Sequence, residues 1–113
     1  MADGDILNPG ALFLLIDDAQ ANNNGVWVST GQAGECFINI LDADGNPTFG
    51  ASVNIHGSNE LAQPLATTNA STLTVAPITA PDYIIHAILP SWIKARVTDY
   101  TSGKIRVIMR LSK

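Results

Sequence analysis

A chain of 113 residues with 46 % apolar and 14 % charged side chains has room for one domain around one core. The apolar share excludes a chain disordered throughout, and the scarcity of charge leaves Asn, Ser and Thr to make most of the polar surface. A net charge of −4 argues against a general nucleic-acid binder, and the single cysteine, Cys36, excludes an intrachain disulfide.

The first ten residues are acidic and end in Asn8-Pro9-Gly10, a turn signature, so they are expected to form an N-terminal arm ahead of a single domain over 11–113. No basic, apolar export signal stands at the start, and the run Ala11–Ile16 is far too short to span a membrane. That run predicts a buried strand. After the Asn22–Gly25 loop, strands are predicted over 26–30, 34–41 and 48–56, the last with Ala51, Val53 and Ile55 on one face and Ser52, Asn54 and His56 on the other. Cys36 shares parity with Ile38 and Ile40 and reads as a small core residue. Asp42-Ala-Asp-Gly-Asn46 places acids like the first half of a calcium loop, but Val53 stands where the closing bidentate Glu belongs, so the segment reads as an Asp-Gly turn.

Residues 61–70 are small and polar, and a short Thr-rich strand is expected over 71–76. A strong strand follows over 82–89, apolar on both faces: Tyr83, Ile85, Ala87 and Leu89 on one, Ile84, His86 and Ile88 on the other. A strand apolar on both sides in so small a domain predicts that one side, taken as the Ile84–His86–Ile88 side, meets another subunit. The prolines at 47, 64, 77, 81 and 90 all fall between strands. Short strands at this spacing, with no capped helical period, predict an all-β, single-domain antiparallel β-sandwich of jelly-roll type.

All six basic residues lie in the last 20 positions, whereas residues 1–93 carry nine acids and no Lys or Arg. The segment 92–111 alternates on both sides of Ser102-Gly103 and predicts a hairpin. Its register opposes Val97 to Ile105 and Ile93 to Met109 inward, with Arg96 to Arg106, Lys94 to Ile108 and Trp92 to Arg110 outward. Like charges directly opposite need a partner, and Trp92 beside Arg110 allows a cation–π contact. The outward residues Trp92, Lys94, Arg96, Arg106, Ile108 and Arg110 are therefore expected to form a cationic interface, toward copies of the chain or an acidic partner.

Catalytic chemistry is not expected. His56 and His86 are isolated, no Ser or Cys lies in a nucleophile context, and neither a phosphate loop nor paired metal-ligand spacing is present, so no enzyme activity, cofactor or metal is predicted.

Two segments resemble a known family. Val53-Asn-Ile-His-Gly-Ser-Asn-Glu60 is similar to the strand-plus-GSND segment of small β-sandwich structural proteins of tailed bacteriophages, and Trp92–Ile105 resembles their late R-A-R-V-T-x-Y-T-S-G element. Glu60 and Lys94 depart from the usual Asp and Arg. The resemblance covers roughly residues 48–111. It implies a capsid decoration (cement) protein: a non-enzymatic homotrimer, made in the host bacterial cytoplasm, that sits on the outer capsid surface and braces the major capsid protein across capsomer junctions, with no nucleic-acid or membrane partner. A glycan- or receptor-binding fibre module would instead use the aromatics Trp27, Tyr83, Trp92 and Tyr100. A head–tail connector or tail component would assemble in larger rings.

Overall fold

The computed structural model describes residues 3–4, 6–8, 12–31, 34–69, 71–87 and 89–112. Among these there is no helix, and eight strands follow one another: β1 (Ile6–Asn8), β2 (Leu12–Ala19), β3 (Val28–Ser29), β4 (Glu35–Asp42), β5 (Gly50–Ser58), β6 (Asp82–His86), β7 (Trp92–Ser102) and β8 (Ile105–Ser112). They form two antiparallel sheets, a five-stranded one in the order β1-β2-β8-β4-β6 and a three-stranded one in the order β3-β7-β5.

From β2 to β8 each successive strand lies in the opposite sheet. The segment after β5 completes the pattern. It runs along the free edge of β5 through bridges Thr72↔His56 and Ile78↔Val53, and so takes the fourth place in the smaller sheet. Strands paired as β2-β8-β4-β6 against β3-β7-β5 plus this segment are the two interleaved sheets of a jelly roll, as the strand spacing predicted.

Alternation explains how the core closes. In β4, Cys36, Ile38 and Ile40 are buried while Glu35, Phe37 and Asn39 are exposed. In β5 the inward set is Ala51, Val53 and Ile55; in β7 it is Ile93, Ala95 and Val97; in β8 it is Ile105, Val107 and Met109. Each large aliphatic among these contributes about 1.5–3 kcal/mol by leaving water. Cys36 belongs to this core, where burial pushes its thiol pKa up. The predicted arm is partly tied down: β1 pairs with β2, and the Asp3 carboxylate accepts the Asp17 amide and the Asn23 side-chain amide.

The C-terminal hairpin is corrected. β7 and β8 turn back on each other at Ser102-Gly103, but they lie in different sheets and do not pair. Their inner faces meet across the core instead. The expected pairs Val97–Ile105, Arg96–Arg106, Lys94–Ile108 and Trp92–Arg110 are absent. β7 pairs with β5 and β3, and β8 with β4 and β2. A hairpin and an arch share the same alternation, so only the distant partners decide between them.

Asp42 holds this arch. Its carboxylate accepts the Lys104 amide at 2.8 Å, the Asp44 and Asn46 amides at 3.1 Å each and the Asn46 side-chain amide at 2.9 Å. These donors hold its pKa below the ordinary carboxylate value, the Lys104 amide foremost. The residue once compared with a calcium ligand thus shapes its own turn and the β7–β8 connection. Because the folded-state pKa is lowered, the unfolded chain takes up the proton first as pH falls. The stabilisation is present above the unfolded carboxylate pKa and is lost as pH drops through the folded one. Asp42→Asn should therefore melt lower than wild type at neutral pH and show a shallower loss of melting temperature below about pH 5. Equal slopes for the two proteins in thermal melts across that range would contradict this role.

Candidate docking surface

The nine residues expected at one interface are divided by the fold between opposite sides of the sandwich. Trp92, Lys94 and Arg96 lie on the outer side of the three-stranded sheet, and Arg106, Ile108 and Arg110 on the outer side of the five-stranded sheet. Ile84 and His86 share the inward parity of Ile38 and Cys36 and are half-buried, Ile84 against the core. Ile88 lies outside the described residues. No single cationic ribbon exists.

On the three-stranded side the loops after β5 close over the sheet. Lys94 is 0 % exposed. Its ammonium donates to the Ala66 carbonyl at 2.6 Å and to Asn69 Oδ1 at 2.9 Å, and sits 5.2 Å from the centre of the buried Trp27 ring. Trp27 Nε1 donates to the Leu65 carbonyl, Gln63 donates back to the Trp27 carbonyl, and Trp92 Nε1 donates to the Glu60 carbonyl. The expected outward cation is thus an internal tether that holds the 61–69 stretch against the sheet. Among the described residues no carboxylate hydrogen-bonds it, and its pKa is lowered by burial and then by the nearby Arg96 charge. The unfolded chain then keeps the proton longer, so this group's contribution to stability rises as pH climbs from the folded pKa toward 10.5. Lys94→Met keeps the length of the side chain but orphans the Ala66 carbonyl. The core should stay folded, while limited proteolysis cuts within 60–69 faster and Trp27 emission shifts to the red. Unchanged cleavage would remove the tether from the account.

The five-stranded side is different. Strand register places Phe37 opposite Arg110 and Ile85, and Asn39 opposite Ile108 and Tyr83. Leu12 and Leu14 of β2 stand opposite Arg110 and Ile108. The outer face therefore carries an apolar stripe from β2 through Ile108 to Phe37, Tyr83 and Ile85. Phe37 and Tyr83 stack with ring centres 5.2 Å apart and planes within 4°. Tyr83 and Ile85 are each 59 % exposed and Phe37 39 %, so the β4–β6 end of the stripe is open to solvent, whereas Leu14 at its β2 end is buried. The residues expected at an interface on β6, Ile84 and His86, have the other parity. The outward residues are Tyr83 and Ile85; both faces of that strand are apolar, so alternation does not separate them.

The cations on this face are spaced around the stripe. Arg106 makes a two-point ion pair with Asp18, Nε to Oδ1 at 2.7 Å and the second nitrogen to Oδ2 at 2.9 Å. Asp18 reaches it from a bulge in β2 where its own φ is 49°. Lys104 pairs with Asp44 at 3.5 Å. Arg110 is exposed beside Phe37, on the rim of a shallow cavity of about 220 Å³ that also touches Glu35 and Ile85. An apolar centre with charges at its margin has the layout of a protein contact surface.

His56 is buried, with Nδ1 3.4 Å from the Thr72 hydroxyl, and His86 lines the groove beside β6. Among the described residues no three of His, Cys, Asp and Glu gather where they would hold a metal ion. Comparison of the chain with protein-family models, with curated proteins and with solved structures finds no match.

Proposed function

We propose that this chain is a non-enzymatic virion structural protein of a tailed bacteriophage, a capsid decoration protein that trimerises and braces the shell across capsomers. The observation that carries the reading is the uncovered outer face of the five-stranded sheet, with Ile108, Phe37, Tyr83 and Ile85 exposed or half-exposed together on a rigid jelly roll. The resemblance of residues 48–111 to cement proteins supplies the assembly; the jelly-roll architecture agrees with it by analogy only. In this reading the apolar stripe makes the subunit contact, with Arg106 and Arg110 at its rim. The acidic loops, and the N-terminal segment that pairs through β1 with β2, then meet the major capsid protein. Three weak shell contacts on one rigid trimer act together, so the assembly holds where each contact alone would let go. Binding that favours the expanded shell stabilises that form by mass action. Sedimentation of the purified protein with expanded heads of its phage, and not with compact precursors, is the expected result; absence from both pellets would overturn the reading.

One observation favours a second reading. The Phe37–Tyr83 pair offers an exposed aromatic ring of the kind that stacks on sugars, as a fibre-borne glycan-binding module would require. The other aromatics named for that role are less available: Trp27 is buried, while Trp92 and Tyr100 are half-buried and hydrogen-bond to backbone carbonyls. Saturable binding to host polysaccharide that is lost in Tyr83→Ala would favour this alternative.

A further inference from the structure

β6 is the terminal strand of the five-stranded sheet, paired on one side only, with β4. The Ala43 amide bonds the Lys104 carbonyl just beyond β4, which fixes the alternation along that strand: odd-numbered residues direct their backbone groups to β8, even-numbered ones to β6. In β6, Asp82, Ile84 and His86 stand opposite the even-numbered Ile40, Ile38 and Cys36, so their backbone is committed to β4. The amides and carbonyls of Tyr83 and Ile85 therefore point away from the sheet. In agreement, the Tyr83 amide is donated to the Asp82 carboxylate at 2.8 Å. Among the described residues no strand lies on that edge. A groove of about 320 Å³ runs along it, walled on the far side by Leu73, Val75 and Ile78.

We propose that this edge docks the β6 edge of a second copy of the chain, antiparallel and about a two-fold axis at Ile84. The sequence Asp82-Tyr-Ile-Ile-His86 is self-complementary in that register. Tyr83 faces Ile85 of the second copy, and these two residues, whose backbone groups point off the sheet, exchange both hydrogen bonds once Asp82 releases the Tyr83 amide. Asp82 faces His86 of the second copy, so the carboxylate that caps the Tyr83 amide in the single chain meets an imidazole across the axis when it lets go. Ile84 of the second copy enters the groove over Leu73 and Ile78. The outer apolar stripe then continues from one sheet into the next. A slip by one residue would oppose Tyr83 to Ile84 and turn every side chain to the wrong face. This contact is two-fold and uses backbone edge groups. It stands independently of the three-fold contact proposed above, and the two together would join trimers to one another.

Cross-linking tests the register. In the proposed pairing the two Ile84 residues form a non-hydrogen-bonded pair with Cα atoms about 4.5 Å apart, within the ~4.4–6.8 Å span of a disulfide. Mild oxidation of Ile84→Cys should convert most of the protein to a covalent dimer on non-reducing gels, while wild type, whose Cys36 is buried, stays single. Tyr83→Cys should give little dimer, because its copies sit diagonally. Adding Ile85→Pro to Ile84→Cys should abolish the dimer while the fold persists, since the lost amide faces the free edge; circular dichroism and the melting temperature check that fold. The proposal is overturned by an Ile84→Cys protein that stays single, by equal cross-linking of Tyr83→Cys, or by cross-linking that survives Ile85→Pro. If light scattering shows no trimer but Ile84→Cys still forms dimers, the three-fold reading fails and this one stands.

Discussion

Ile108→Asp should leave a folded monomer that no longer binds capsids. Ile108 lies at the centre of the outer stripe, on the solvent side of β8, between Asn39 and Leu14 across the strands and Arg106 and Arg110 along its own. In the single chain an aspartate there is half-exposed and lies between two cations, so the core loses nothing. In a dry subunit contact the same carboxylate is stripped of water. A cost of about 3 kcal/mol per contact is modest for such a group, and it weakens each contact more than a hundredfold. Size-exclusion chromatography with light scattering reads the mass, and circular dichroism reads the fold. A variant that remains trimeric would remove this face as the subunit contact.

Gly25→Ala should be strongly destabilising. Gly25 has φ +71°, in the left-handed region, and follows an Asx turn in which its amide bonds Asn23 Oδ1 at 2.8 Å. A Cβ there would lie 1.9 Å from the carbonyl oxygen of Ala95. Ala95 is fully buried in β7, the central strand of the smaller sheet, so that carbonyl has nowhere to retreat. Backbone strain alone costs about 1–2 kcal/mol. Displacing the central strand brings the total to about 4 kcal/mol or more, a large part of a typical 5–15 kcal/mol stability. The melting temperature should drop by more than about 10 °C. A drop within about 2 °C would mean that the 23–25 segment does not pack on β7 as described.

Sequence patterns showed which side chains point inward wherever one face of a strand is apolar and the other polar. Glu35–Ile40 and Gly50–Ile55 alternate as expected, and the inward residues of β7 and β8 are those that parity selected. Pairing was harder to read. Ser102-Gly103 reverses the chain, but a reversal does not say whether the next strand stays in the sheet or crosses to the other. That choice rests on Asp42 gripping the Lys104 amide and on β5 and β4 taking β7 and β8 as separate partners. Lys94 shows a different limit. Alternation placed it on the outer side of its strand correctly. Residues 61–69, which cover it, have no apolar period, so nothing in the pattern announced a lid held by hydrogen bonds to backbone carbonyls. In β6 both parities are apolar, and periodicity could not say that Tyr83 and Ile85, not Ile84 and His86, face outward. The acids that neutralise the C-terminal cations, Asp18 and Asp44, are distant in sequence and were invisible to a reading of that segment alone.

The proposed self-assembly is tested most directly by the native mass of the purified chain, read by light scattering at low concentration. The account predicts three times 11.9 kDa, with larger multiples as concentration rises and β6 edges meet. A mass of 11.9 kDa at every concentration would contradict it, since the exposed Phe37, Tyr83 and Ile85 would then serve no contact between copies.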